Sequence, residues 1–191
     1  MEKQVDFYFD VVSPYSYLAS KLIEEVIKRN NAKLNWKPML LGGIFKAIEG
    51  CIAPSIVPAK KPYLFKDLER LSNHYKIPFN KPSDFPIRTV LAMRVLTGLN
   101  HDRIPVAAHS IFKAYWVNNK DIADPEVLSK LIDLDSVERA KMQEIKDTLF
   151  QTTEEAIKKG VFGAPTFFVG NEMFFGHDRI NLIDNQLQGK I

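Results

Sequence analysis

Residues 5–27, VDFYFDVVSPYSYLASKLIEEVI, constrain the chain more than any other stretch, because two different periodicities meet inside them. Val5, Phe7, Phe9 and Val11 alternate with Asp6, Tyr8 and Asp10, the period of two of a β-strand. Leu18, Leu22, Ile23, Val26 and Ile27 then recur at helical spacing, with Lys21, Glu24 and Glu25 on the other side. The joint is Ser13-Pro14-Tyr15-Ser16. Ser13 suits an N-cap, and Pro14 suits the first helical position, where a missing N–H leaves no bond unmade. A group carried by Ser13 sits where unpaired amides and the positive end of the helix dipole converge. That position suits an anion, including a thiolate.

The spacing of Ser13 and Ser16 matters as much as their position. Redox proteins of the thioredoxin type carry Cys-x-x-Cys at such a joint, where the helix N-terminus stabilises a thiolate. Here both places hold hydroxyls, so the joint cannot run a disulfide cycle, and a sulfur would have to come from outside. A serine hydroxyl can donate a hydrogen bond to a ligand's thiolate and, with the helix amides, lower its pKa. The plainer reading of Ser13 is an N-cap and nothing more.

The 191 residues, 46% hydrophobic and 26% charged, fit one globular domain or one domain carrying a sizeable insertion. A dispersed net charge of +3, with no basic cluster interleaved with aromatics, argues against nucleic acid. No apolar run is long enough to cross a bilayer, so no membrane association is expected. The first residues lead directly into a strand, so no secretory signal is expected. The one cysteine, Cys51, excludes an internal disulfide and fits a reducing compartment, with a cytoplasmic location as the expectation.

Further along, residues 33–39 read as a second strand, with Pro38 near its end or on an edge. Leu41-Gly42-Gly43 breaks it, and residues 44–49 form a short helix. The stretch GCIAPSIVPAKKP, residues 50–62, is too rich in Pro and Gly to be regular. Helices are expected at 63–75, around Leu91–Leu96 with Gly98 as stop, at 104–117, from Pro125 with Asp124 as cap, around 136–149, and at 153–159 with Gly160 as stop. Residues 77–86 form an extended crossing with three prolines. A hairpin follows, 166–169 and 172–175 about Gly170-Asn171, and Asp178 caps a closing helix. The outline is α/β, a thioredoxin-like sheet built from residues 1–63 and 160–191, with a large all-helical insertion at 64–159.

Five segments carry a family resemblance: DFYFDVVSPYSYLA, PAKKPYLFKDLERL, the run from Phe85 to Arg94, DIADPEVL, and GVFGAPTFFVGNEMFFGHDRI. In this order they resemble the 2-hydroxychromene-2-carboxylate isomerases and kappa-class glutathione transferases, relatives of DsbA-type oxidoreductases. The resemblance implies a DsbA-like fold and glutathione as cofactor, with no metal. It makes Ser13 the catalytic residue holding the glutathione sulfur as a thiolate, with Pro14 and Tyr15 beside it. It implies that Ala164 pairs its backbone with the glutathione cysteine and that Pro165 follows a cis bond. It assigns Phe175, Gly176, His177 and Asp178 to the γ-glutamyl end, Lys60 to the glycine carboxylate and Lys46 to the substrate. For Asp178 the competing role is helix capping, and for His177 a solvated loop position; Lys46 and Lys60 taken alone read as surface charge.

Two positions depart from the family pattern. Cys51 stands in the place of an Asn that contacts glutathione or substrate, and Phe85 in the place of a substrate-contacting Tyr. Cys51 reads as an inert small residue, since no resolving cysteine exists, or as a thiol near the site. The resemblance implies a glutathione-dependent cis–trans isomerase of a small anionic aromatic or conjugated molecule, as in aromatic catabolism, and a homodimer. The alternatives are a kappa-class-like transferase or peroxidase that consumes glutathione, and a non-catalytic DsbA-like binding module.

Overall fold

The computed structural model describes residues 3–49 and 52–191. Cys51 lies outside them. The order of elements is β1 (Gln4–Phe9), α1 (Pro14–Arg29), β2 (Lys33–Pro38), α2 (Leu41–Ala47), α3 (Lys61–Tyr75), α4 (Val90–Thr97), α5 (Ile104–Trp116), α6 (Pro125–Leu131), α7 (Leu134–Arg139), α8 (Gln143–Lys158), β3 (Thr166–Val169), β4 (Glu172–Phe175) and α9 (Ile180–Leu187). The strands form one sheet in the order β2-β1-β3-β4, with β1 parallel to β2 and antiparallel to β3, and with β3 antiparallel to β4. This is the mixed α/β sheet expected, with the helical run entering between α2 and β3.

Register explains the aromatic content of the strands. Trp36, Phe7, Phe167 and Phe174 are successive partners across all four strands. Phe7 stacks on Phe167 at 4.7 Å between centroids and meets Trp36 edge-on at 5.0 Å. This row belongs to a core that also holds Leu18 and Ile23 of α1, Phe112 and Trp116 of α5, and Ile183 of α9. That one core runs without interruption from the sheet into the inserted helices. The opposite face of β1 is not the solvated one that its polar residues suggest. Tyr8 and Asp10 are buried, and Tyr8 joins Met39, Ile44, Ala156, Val161, Ala164 and Phe168 in a second cluster. A strand in the middle of the sheet, with helices on both faces, has no wet side.

Several boundaries differ from those expected. Helix α2 begins at Leu41 and takes in Gly42 and Gly43 rather than being preceded by them. A Cβ on Gly43 would lie 3.1 Å from Cγ2 of Thr153, so glycine lets α2 approach α8. Helix α3 begins at Lys61, and a single 3₁₀ turn, Pro54–Ile56, interrupts the preceding loop. The pair of helices expected at 136–149 and 153–159 is divided differently: α7 stops at Arg139, and α8 runs unbroken from Gln143. Thr152 and Thr153 do not end α8, because their hydroxyls donate to the carbonyls of Thr148 and Leu149 one turn back. The Ala164–Pro165 bond is cis as expected, and so is Phe85–Pro86, which was not foreseen. No helix of the described residues is long and apolar enough to cross a membrane.

Candidate functional site

The β1–α1 turn fixes the centre of the site. Ser13 is the N-cap of the sixteen-residue α1, in extended backbone geometry, and is almost wholly buried. Its backbone N–H donates to Asp10 O at 3.0 Å. Its Oγ accepts from the Ser16 N–H at 3.1 Å and donates to the Ala164 carbonyl at 2.8 Å. The last bond joins residues far apart in the chain and ties the helix N-terminus to the loop before β3. Ser16 Oγ, one turn further, is buried with no partner.

That loop is pinned on each side of Ala164. Thr166 Oγ1 donates to Gly163 O at 2.8 Å, and Gly176 N donates to Pro165 O at 3.0 Å. Gly163 has a steric reason to be glycine, since a Cβ there would lie 2.7 Å from the Phe175 ring. Phe175 in turn packs on Phe162 at 4.6 Å, and both rings remain over two-fifths exposed. Gly176 holds φ 102°, a left-handed conformation that glycine adopts without strain, and turns the chain towards α9.

The turn before α9 corrects two expectations. Asp178 does not cap the helix. It lies in a 3₁₀ turn, His177–Arg179, and its carboxylate accepts from Arg179 Nη1 at 2.6 Å with no capping bond. His177 is not a solvated loop side chain. Its ring stacks on Tyr15 at 5.2 Å and 11°, meets Tyr75 edge-on, and buries Nε2 with no partner. Burial holds its pKa below the ordinary histidine value. Burial, followed by the charges of Asp67, Tyr63 and Asp178, pushes the Tyr15 hydroxyl up to about 12.

The structure therefore brings Ser13, Pro14 and Tyr15 together with Ala164, Pro165 and the 175–178 turn. The remaining expected residues lie on other elements. Lys46 is exposed near the end of α2, and Lys60 is exposed at the start of α3. Among the described residues neither has an ion pair or side-chain hydrogen bond. Phe85 is half-buried, edge-on to Phe65 at 5.3 Å and to Trp116 at 5.5 Å, so its ring has packing partners of its own. Its carbonyl accepts from Lys61 Nζ at 3.3 Å, a lysine the sequence reading did not single out.

Asp10 was also overlooked as a site residue. Its carboxylate accepts from Val12 N and Leu41 N, both at 3.0 Å, and the Thr89 hydroxyl faces it as well. Complete burial pushes its pKa up from the carboxylate range, against the lowering effect of these three donors. The bonds bind the Ser13 turn to the starts of α2 and α4. The available signal was a carboxylate three residues before Ser13, at the end of an otherwise aromatic strand.

Sheet, joint and inserted helices together define a thioredoxin-type protein whose helix N-terminus carries hydroxyls in place of sulfur. The chain belongs to the DsbA-like thioredoxin domain family, whose model matches residues 4–188. It is 28% identical to glutathione S-transferase kappa 1 of Homo sapiens, over 100% of this chain and 93% of that one. It is 29% identical to a 2-hydroxychromene-2-carboxylate isomerase of Pseudomonas sp. strain C18, over 97% and 90%. A solved structure of 2-hydroxychromene-2-carboxylate isomerase superposes with TM-score 0.86 at 25% identity, covering 97% of this chain and 95% of the other.

Proposed function

We propose that this chain is a glutathione-dependent cis–trans isomerase resembling 2-hydroxychromene-2-carboxylate isomerase. The observation that carries the reading is Ser13: a buried hydroxyl at a helix N-terminus, 2.8 Å from the carbonyl before Pro165, with serine and not cysteine at position 16. A joint of this form suits a thiolate that arrives on a ligand. The orphaned Ser16 Oγ and His177 Nε2 fit a polar ligand too, since buried polar atoms normally have partners.

When bound, glutathione supplies a thiolate nucleophile that adds reversibly to a conjugated substrate and is returned unchanged. The chain's contribution is to hold and ionise that thiol. Ser13 and the first amides of α1 stabilise the negative sulfur, with Pro14 and Tyr15 alongside. The Ala164 backbone pairs with the peptide. Phe175, Gly176, His177 and Asp178 receive the γ-glutamyl end, and Lys60 the glycine carboxylate. Lys46 faces an anionic aromatic or conjugated substrate, and Phe85 borders it without the hydroxyl that the related isomerases carry. The working form is a homodimer, and the location cytoplasmic.

The test is calorimetric titration of glutathione into the wild type and Ser13→Ala near neutral pH. The wild type binds and releases protons; the variant releases fewer. No binding at millimolar glutathione would overturn the reading and leave a non-catalytic DsbA-like module. Kappa-class transferase chemistry is the second reading, favoured by a match to the human transferase as extensive as that to the isomerases. Free thiol assayed after turnover separates them: it is conserved by an isomerase and consumed by a transferase.

A further inference from the structure

Lys61 holds a position that helix stability does not explain. It is the first residue of α3, where the helix dipole disfavours a cation, and no acidic residue stands in that turn. Among the described residues it forms no ion pair. Its Nζ donates instead to the Phe85 carbonyl at 3.3 Å, in the loop between α3 and α4. An ammonium carries three protons, and this bond uses one. Lys61 is exposed, so the others are open to solvent and to a ligand that enters there. Tyr63 and Asp67, on another face of α3, act on Tyr15 instead, so this helix turns a different face to each end of the site.

A second cation serves the same aromatic pair. Lys81 Nζ lies 4.7 Å over the Phe65 ring, and Phe65 meets Phe85 edge-on at 5.3 Å. Asp84, the one carboxylate of residues 79–89, pairs with neither lysine among the described residues, and its carbonyl is taken by the Tyr115 hydroxyl. Two ammonium groups thus stand on one aromatic pair without a carboxylate to pair with, and both favour an anion there. The pair is joined to the Ser13 turn. Phe85 lies edge-on to Trp116 at 5.5 Å, and Trp116 Nε1 donates at 2.9 Å to Val11 O. We infer that Lys61 is a further specificity-determining residue, in addition to Lys46: its ammonium binds the carboxylate of a substrate whose ring lies along Phe85, which leaves the conjugated carbon on the side of Ser13. This inference rests on the proposed reaction at Ser13 and on the placing of Phe85 beside the substrate.

The experiment measures binding to the glutathione-saturated protein of two probes of similar size, 1-naphthoate and its neutral counterpart 1-naphthalenemethanol, by equilibrium dialysis. The wild type binds the acid about tenfold more tightly than the alcohol, the scale of one charge-assisted hydrogen bond. Lys61→Met keeps an unbranched apolar stem without the charge, and binds the two alike. Lys28→Met removes a lysine at the far end of α1 and retains the preference. Equal affinities on the wild type, or no binding of either probe, would overturn the inference while leaving the glutathione reading intact. So would a preference lost equally in Lys28→Met, which would reflect net charge alone. A preference that survives in Lys61→Met, even with both affinities weakened, would mean that the lysine only straps the loop to α3, and would overturn it too. Failure of glutathione itself to bind the wild type would instead overturn the functional reading, and this inference with it.

Discussion

Asp10 shows how much of the site depends on a wholly buried carboxylate. Its two oxygens each accept a backbone N–H, from Val12 and Leu41. Asn in its place keeps one acceptor and turns an amide N–H against the other donor. Asp10→Asn is therefore expected to lose about 1–3 kcal/mol in urea unfolding, the cost of a buried donor left unpaired. The pH dependence has a definite sign. Burial raises the folded-state pKa above the unfolded one, so Asp10's contribution is full below the ordinary carboxylate range and fades as pH rises through the raised value. The deficit of Asp10→Asn is therefore greatest in acid and shrinks as pH rises; a deficit that grows with pH would mean that the carboxylate is held charged. Ser13 could be found from the sequence because cap, proline and spacing converge on it. Asp10 could not, because strand alternation assigns it to solvent and only the helices over the second face shut it in. His177 was misjudged for a similar reason: nothing local to Gly176-His177-Asp178 says that Tyr15 and Tyr75 lie on either side of its ring.

At the scale of elements, the joints are stricter than the elements they join. Removing the Ser13 hydroxyl costs α1 its side-chain cap and takes the bonds from both the Ser16 N–H and the Ala164 carbonyl, so Ser13→Ala should lower stability by about 1–2 kcal/mol in thermal unfolding. That loss is independent of any ligand, and it sets the baseline for the binding comparisons. Gly163→Ala acts at the opposite joint. A Cβ 2.7 Å from the Phe175 ring forces either that ring or the 162–165 loop to move. Since Phe175 is two-fifths exposed it has room to swing outwards, and the cost should fall at the lower end of the roughly 1–3 kcal/mol of overpacking. If the loop moves instead, the Ser13–Ala164 contact opens and the N-cap region of α1 loses amide-exchange protection, which hydrogen exchange would detect. The strands and most helices were legible because each has its own period and stop signals. The continuity of α8 was not, because Gln151-Thr152-Thr153 resembles a break until the threonine hydroxyls are seen bonding back along the helix.

For the whole molecule, the question is whether sheet and inserted helices unfold as one. The chain has only two tryptophans, and they report on different parts of it. Trp36 lies on β2 against Phe7 and Phe9 of β1. Trp116 lies at the end of α5, within the helical run, against Phe79, Phe85 and Tyr115. Yet Trp116 Nε1 donates to Val11 O at 2.9 Å, on the turn that carries Ser13, and both indoles belong to one continuous core. Among the described residues the apolar core is continuous from sheet to helices, so opening one exposes the core of the other. Single-tryptophan variants, Trp36→Phe and Trp116→Phe, should therefore give denaturant curves whose midpoint and slope agree with those from far-ultraviolet circular dichroism of the same variant. A Trp116 signal that moves at lower denaturant than the circular dichroism would identify the helical run as a separate unit. The Val11–Trp116 bond would then be a dispensable docking contact. Coincidence would mean instead that the inserted helices brace the β1–α1 turn, and that damage to the α5 end reaches Ser13 through one hydrogen bond.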